Sequence, residues 1–245
     1  MALPRKVLLC VSSYNEKFYP DGAKTGLYYS EALHPYDEFA KAGFEIDLVS
    51  ETGRCGLDEH SIAEGGLTPQ DKKAFDDVTH PLNIKLKSVK KASQVNASEY
   101  GLFFAAGGHA ALFDFPSSKA LQSIAADVWN RGGVVSAVCH GPAILPGIID
   151  KKTGKSIVAG RTVTGFSLEG ELQFGVLDIM KQAGLITIED AAKQAGGKYK
   201  SPARPLDDFV ETADRLITGA NPASARSTAI AVIKAFDGLT QSGKG

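Results

Sequence analysis

The strongest constraint on the fold is a set of short apolar runs that lack the in-out alternation of a half-buried strand. Val134–Val138 reads VVSAV, and Val7–Val11 and Leu102–Ala105 are equally continuous. A short strand that is apolar on both faces must be covered on both faces, and a parallel sheet flanked by helices provides that cover. Strands are expected at Val7–Val11, Ile46–Val49, Leu102–Ala105, Val134–Val138, Thr162–Thr164 and Leu216–Thr218. Helical spacing lies between them at Tyr36–Ala42, Lys119–Asn130, Gly170–Lys181 and Ala223–Phe236. The last pattern opens on NPAS, where Asn221 can cap and Pro222 suits a first helical turn. This alternation predicts an α/β sandwich, a mainly parallel sheet with helices on both faces.

Length and charge narrow the function. The chain has 245 residues, 43% hydrophobic and 22% charged, enough for a single domain (1–245) with a sizeable core. The less regular stretch 51–100 reads as a helical insertion within it. Lys+Arg number 27 against 28 Asp+Glu, which leaves no basic field for nucleic acid. The one basic cluster, KLKSVKK at Lys85–Lys91, reads as a solvated helix face. Val7–Val11 is too short for the core of a signal peptide, and no apolar stretch approaches the roughly 20 residues of a membrane span. Cys10, Cys55 and Cys139 are odd in number and include no C-x-x-C, which disfavours a disulfide framework and points to a reducing compartment. The tail TQSGKG reads as frayed.

Cys139 stands at the carboxyl end of an expected strand, where open α/β sheets bind their ligands. Small residues flank it at Ala137 and Gly141, the spacing of the G-x-S-x-G nucleophile elbow. Pro142 fits the first turn of a following helix, whose free N–H groups and positive dipole end favour a thiolate. An inert buried thiol is the ordinary state of a free cysteine and is the reading for Cys10; the turn makes Cys139 the reactive one. A second loop, AAGGHAALFDF, follows Leu102–Ala105, and the Gly108 and His140 N–H groups are expected to form an oxyanion hole. The histidines are His34, His60, His80, His109 and His140, so none lies downstream of residue 140, where a hydrolase with an elbow nucleophile keeps its own. The base is therefore His140 or an upstream histidine, oriented by Glu169 or Glu171 of GFSLEGEL. Asp58–His60, DEH, lacks a partner at metal-ligand spacing and reads as loop charge.

Taken together, AVCHGPA, GGHAALFDFP, SYNEKFYPDGAKTG and EALHP resemble the ThiJ/PfpI superfamily. The likeness is greatest to its fungal heat-shock chaperone branch, the glutathione-independent glyoxalases III, and extends through DKKTG, TGFSLEGE and RLITGANPAS. It implies a flavodoxin-like sandwich, usually a homodimer. In that branch the elbow cysteine, the next histidine and the glutamate of TGFxxxGE form a triad, which falls on Cys139, His140 and Glu171. The glutamate of EALHP lies by the sulfur and falls on Glu31. A carboxyl among Tyr28, Tyr29, Ala32 and Leu33 is expected to be desolvated and neutral, and to donate to the sulfur. Ala110 stands where many relatives have glycine and is expected to add a methyl near the mouth of the site. The implied activity is that of a lyase (D-lactate dehydratase) in carbonyl and oxidative stress defence. It would turn a small 2-oxoaldehyde, methylglyoxal, and water into D-lactate through a cysteine hemithioacetal, without cofactor or metal. Alternative readings are removal of glycation adducts from proteins, a holding chaperone for unfolded proteins, and a cysteine peptidase. The expected location is the cytoplasm, with the nucleus as a second compartment, and neither nucleic acid nor membrane as partner.

Overall fold

The computed structural model describes residues 3–242. Its first half runs β1 (Lys6–Cys10), α1 (Tyr29–Lys41), β2 (Glu45–Ser50), α2 (Glu59–Ile62), α3 (Pro69–Asp76), α4 (Pro81–Leu86), β3 (Lys90–Lys91) and β4 (Leu102–Ala105). There follow α5 (Ala111–Asp114), α6 (Lys119–Asn130), β5 (Val134–Val138), β6 (Ile149–Asp150), β7 (Lys155–Ser156) and β8 (Thr162–Val163). The chain ends with α7 (Leu168–Gln173), α8 (Leu177–Gln182), α9 (Ile188–Gln194), β9 (Lys198–Tyr199), β10 (Val210–Ala213), β11 (Leu216–Gly219) and α10 (Ala225–Ser242). Seven strands form one sheet in the order β10-β11-β5-β4-β1-β2-β3. All neighbours are parallel except β10, which pairs antiparallel with β11.

The pleat distributes the continuous apolar runs to two cores, because successive side chains leave a strand on opposite faces. Leu8, Cys10, Phe103, Ala105, Val135 and Ala137 face one core, with Trp129 and Val128 of α6. Val7, Leu9, Phe104, Val134 and Val138 face the other, with Phe39 of α1 and Phe236 of α10. The strand order changes direction between β1 and β4: the chain passes from β1 outward to β2 on one side and from β4 to β5 on the other. That switch opens a crevice at the carboxyl ends of the strands.

Several elements depart from the sequence reading. Helix α1 begins at Tyr29 rather than Tyr36 and carries Pro35 inside it. The proline removes one backbone donor but does not end the helix, because six side chains around it, Tyr29, Ser30, Glu31, Ala32, Leu33 and Tyr36, are buried. The pattern at Gly170–Lys181 is two helices, α7 and α8, separated where Gly175 takes φ +67°. Thr162–Thr164 contributes only the short β8, which pairs with β9 outside the main sheet. Segment 51–100 holds α2, α3 and α4 but also β3, which extends the sheet beside β2. The Lys85–Lys91 cluster is not one helix face: α4 stops at Leu86, and Lys85 and Lys90 both pair with Asp47 of β2. Strand β10 and the β6–β7 hairpin have no counterpart in the sequence reading. Asn221 caps as expected, accepting from the Ser224 N–H at 3.1 Å, and α10 runs on to Ser242, through part of the tail read as frayed. The rest of that tail, 243–245, lies outside the described residues. Among the described residues no helix is long and apolar enough to cross a membrane.

The ends of β4 and β5 approach so closely that a Cβ on Gly141 would lie 2.3 Å from the Ala105 carbonyl oxygen. Gly141→Ala is therefore expected to destabilise the fold by about 1–3 kcal/mol, as overpacking does. The loss would be read as a lower urea midpoint at unchanged m value; an unchanged midpoint would refute the close approach.

Candidate active site

Strand β5 delivers Cys139 into the crevice with φ 59°, in the left-handed region that side chains other than glycine rarely enter. Such a conformation costs on the order of 1–3 kcal/mol and persists only where the surroundings hold it. Here the Cys139 N–H donates to the Gly219 carbonyl at 2.9 Å, and its carbonyl accepts from the Phe166 N–H at 2.8 Å. The segment that follows, Gly141–Gly147, is a 3-10 helix and not the α-helix expected from Pro142. Pro146 has no N–H to give to the Pro142 carbonyl, so an α-helical ladder cannot run through the segment.

Burial raises the Cys139 pKa well above its ordinary value; Glu31, where ionised, and Glu171 push in the same direction, against the Gly108 N–H, which lowers it. These surroundings oppose the thiolate that a helix start would favour. The sulfur instead sits 3.2 Å from His140 Nδ1, where a proton can pass to the ring as a bond to substrate forms. Burial and the neighbouring His109 ring lower the His140 pKa, which keeps that imidazole neutral and able to accept.

Glu171 lies 2.9 Å from His140 Nε2 through Oε1. It comes from the first turn of α7, which Ser167 caps by accepting from the Gly170 N–H. Glu171 is buried, while Glu169, two residues earlier on the same turn, is exposed. The crevice therefore separates two glutamates that local sequence left equivalent. Burial alone would raise the Glu171 pKa, but His140 and His109 together bring it down to about 2. An ionised Glu171 can only accept, so His140 carries its proton on Nε2 and presents a bare Nδ1 to the sulfur.

Glu31 enters from the first turn of α1, whose start is tied to the β4 loop by the Tyr28 N–H donating to the Gly107 carbonyl at 3.2 Å. Its side chain is fully buried. Burial raises its pKa to about 8, against hydrogen bonding with Cys139 and with the Gly107 N–H, which lowers it. The Gly107 N–H reaches Oε2 at 2.9 Å, and Oε1 has no nitrogen or oxygen partner. Glu31 thus stands beside the sulfur, where burial favours its protonated form. Only glycine fits at 107, since a Cβ there would lie 2.7 Å from both Glu31 Oε2 and the His140 nitrogen. Among the described residues the His140 N–H meets no acceptor, and the Gly108 N–H points to the sulfur. These two donors can receive an oxyanion formed on a carbon bound to Cys139.

The crevice holds a cavity of about 300 Å³ lined by Tyr19, Tyr28, His60, Phe166, Phe174 and Leu206 around Cys139. Ala110 does not line its mouth: it is fully buried, with its N–H on Thr25 Oγ1 at 3.0 Å. Asp58 is not loop charge either. It is fully buried, caps α2 through the Ser61 N–H, and accepts from the Tyr19 hydroxyl at 2.7 Å and from Thr25 Oγ1 at 3.0 Å. His60 stacks on the Tyr19 ring with centroids 4.0 Å apart and pairs with the exposed Asp21 at 2.8 Å.

Sequence reasoning left His109 among several upstream histidines. Its ring stands against His140 with centroids 4.1 Å apart, and its Nε2 lies 2.9 Å from Glu171 Oε2. The signal was its place directly after the Gly107–Gly108 loop; nothing local marked Tyr19 or Asp58. His109, His140 and Glu171 each offer an atom within 4.8 Å of the others, a spacing that could hold a metal ion. In the described geometry both imidazole N–H groups already fill the two carboxylate oxygens, so an ion would have to displace two hydrogen bonds.

A model of the DJ-1/PfpI family matches residues 24–235. A glutathione-independent glyoxalase of Saccharomyces cerevisiae is 51% identical over 233 residues, 95% of this chain and 98% of that protein. The crystal structure of glyoxalase III from Candida albicans aligns with a TM-score of 0.92 at 50% identity, covering 94% of this chain and 97% of that one. The X-ray structure of a rapid encystment protein of Francisella tularensis aligns with a TM-score of 0.82 at 32% identity, covering 96% and 99%.

Because the Glu31 pKa rises from 4.5 to about 8, the folded chain holds a proton there that the unfolded chain has lost between those values. Stability from this group therefore falls as pH rises through that window. Glu31→Gln removes the titration, so its urea midpoint should gain on that of the wild type steadily from about pH 5 to pH 8. A difference between the two proteins that does not vary with pH would show that Glu31 titrates as an ordinary carboxyl.

Proposed function

The chain belongs to the DJ-1/PfpI family, and from that premise we propose that it is a glutathione-independent glyoxalase, a lyase that converts methylglyoxal and water to D-lactate. One observation carries the reading: a cysteine held in an elbow at φ 59°, its sulfur 3.2 Å from the bare nitrogen of a neutral histidine, beside a carboxyl that keeps its proton. The likeness to proteins named as glyoxalases over nearly the whole chain supports the same substrate class.

Cys139 Sγ adds to the aldehyde carbon while its proton passes to His140 Nδ1, giving a hemithioacetal whose oxygen meets the Gly108 and His140 N–H groups. Glutathione is not needed, because the thiol that makes this adduct belongs to the protein. The hydrogen on the former aldehyde carbon then leaves as a proton, and a proton is returned to the adjacent carbon through an enediol. The first carbon is oxidised and the second reduced, with no outside electron carrier. His140 and Glu31 are the two groups placed to carry these protons, and a pKa of about 8 suits Glu31 to give and retake one near neutral pH. Water cleaves the resulting thioester, releasing lactate and restoring the thiol. Glu171 holds the His140 tautomer and balances the imidazolium formed during attack.

The test is lactate production from methylglyoxal by the pure protein, with and without glutathione. Equal rates in both are expected, and no lactate in either would end the reading. Cys139→Ser should abolish turnover, whereas Cys10→Ser and Cys55→Ser should keep most of it. Among the described residues neither of those thiols contacts an imidazole, and burial raises both pKa values, Cys55 to about 12.

Glu171→Gln should lower turnover by about 10²–10⁴-fold, the usual range for lost acid–base function. Glu169→Gln, on the exposed side of the same turn, should be mild. Equal losses at the two positions would remove the role given to Glu171.

A further inference from the structure

A carboxylate that orients a histidine uses one oxygen; the second must also be satisfied if the group is buried. Glu171 is 1% exposed, and its Oε2 is met by His109 Nε2 at 2.9 Å. His109 is held in turn. Its Nδ1 lies 3.0 Å from the Tyr19 hydroxyl, and that hydroxyl donates to Asp58 Oδ2 at 2.7 Å. Asp58 is further fixed by Thr25 Oγ1 at 3.0 Å and by the Ser61 N–H at 3.1 Å. Phe18 packs on the His109 ring with centroids 5.0 Å apart. An arm of side chains therefore reaches from the start of α2 to the back of the triad, assembled from three separate stretches of chain.

We propose that His109 is a positioning residue that sets the rotation and charge of Glu171 by occupying its second oxygen, with Tyr19 and Asp58 bracing the ring from behind. The inference rests on the Cys139 chemistry proposed above. The terminal torsion of a glutamate is a broad, soft rotor, so a single hydrogen bond to His140 does not lock it. With His109 gone, Oε2 would be a buried carboxylate oxygen without a donor, a strongly disfavoured state. Glu171 would relieve it by turning away from His140 or by taking up a proton. Either change loosens the Nε2–H bond that leaves His140 Nδ1 bare toward the sulfur. The arm does not touch the sulfur; it reaches the site through Glu171 and through the His109 ring, which stands 4.1 Å from the His140 ring between centroids.

The test compares His109→Leu with His109→Gln. A glutamine amide nitrogen can reach the place of the imidazole Nε2 and donate to Glu171, whereas leucine fills space without a donor. Two rates are measured at neutral pH: alkylation of Cys139 by iodoacetamide, in protein whose other two cysteines are serine, and kcat and KM for methylglyoxal. His109→Leu should slow alkylation and lower kcat by about 10–100-fold, the scale seen when a partner of a site ligand is lost, with KM changed much less. His109→Gln should recover most of both losses. Tyr19→Phe, which leaves the His109 donor but removes its brace, should show a smaller loss of the same kind, and it keeps the test alive if His109→Leu does not fold. Equal losses in the leucine and glutamine variants, or unchanged alkylation in His109→Leu or Tyr19→Phe, would overturn the proposal. Wild-type protein that alkylates rapidly but makes no lactate would defeat the glyoxalase reading alone, since the alkylation comparison still reports on His109.

Discussion

Removal of water from the crevice is the constraint on which the site depends. Cys139, His140, Glu31 and Glu171 are each buried to within a few per cent. In such a place a charge survives only where hydrogen bonds or an opposite charge hold it, so the contacts decide where each proton rests. Glu171 has two histidine donors and stays ionised; Glu31 has one backbone donor and a thiol, and keeps its proton. Two glutamates in one crevice thus acquire opposite states from their neighbours alone. The thiol, which burial would leave unreactive, is served by a neutral imidazole rather than by a standing positive field.

The sheet supplies the positions. Strands β4 and β5 end side by side, and the loops that follow them bring Gly107, Gly108 and His109 against Cys139 and His140. The approach is close enough that glycine is required at 107 and 141. Helix α1 contributes Glu31 only because it begins a full turn and a half before its proline, with its start hydrogen-bonded to the β4 loop. Helix α7 contributes Glu171 because the helical pattern breaks after Gln173 and leaves a short, capped turn over the crevice. These two departures from simple helical periodicity both fall next to the site.

Burial also explains why the pairings extend so far from the sulfur. A charged carboxylate in a dry crevice requires a second donor, that donor requires orientation, and the requirement is passed outward until it reaches Asp58 at the cap of α2. The interactions belong to one chain of contacts, and removing a middle member exposes the buried groups on both sides of it.

By itself the sequence determined what local chemistry can specify. Unbroken apolar runs demanded a sheet covered on both faces, and small residues on either side of Cys139 demanded a tight turn at a strand end. The family motifs carried Glu31 and Glu171, neither of which periodicity could select. Tertiary structure alone decided the rest. Glu169 and Glu171 differ by two positions on one turn, and only packing buries one and exposes the other. Asp58 read as loop charge because its partners, Tyr19 and Thr25, lie 39 and 33 residues away. His109 was visible as a residue but not as a partner of Glu171, 62 residues on. The surroundings of the thiol were not legible locally, because the dipole of a helix start can be read from a proline, whereas desolvation depends on everything that closes over the group. Turn geometry is a property of neighbours in sequence; burial and hydrogen-bond partnership are properties of neighbours in space.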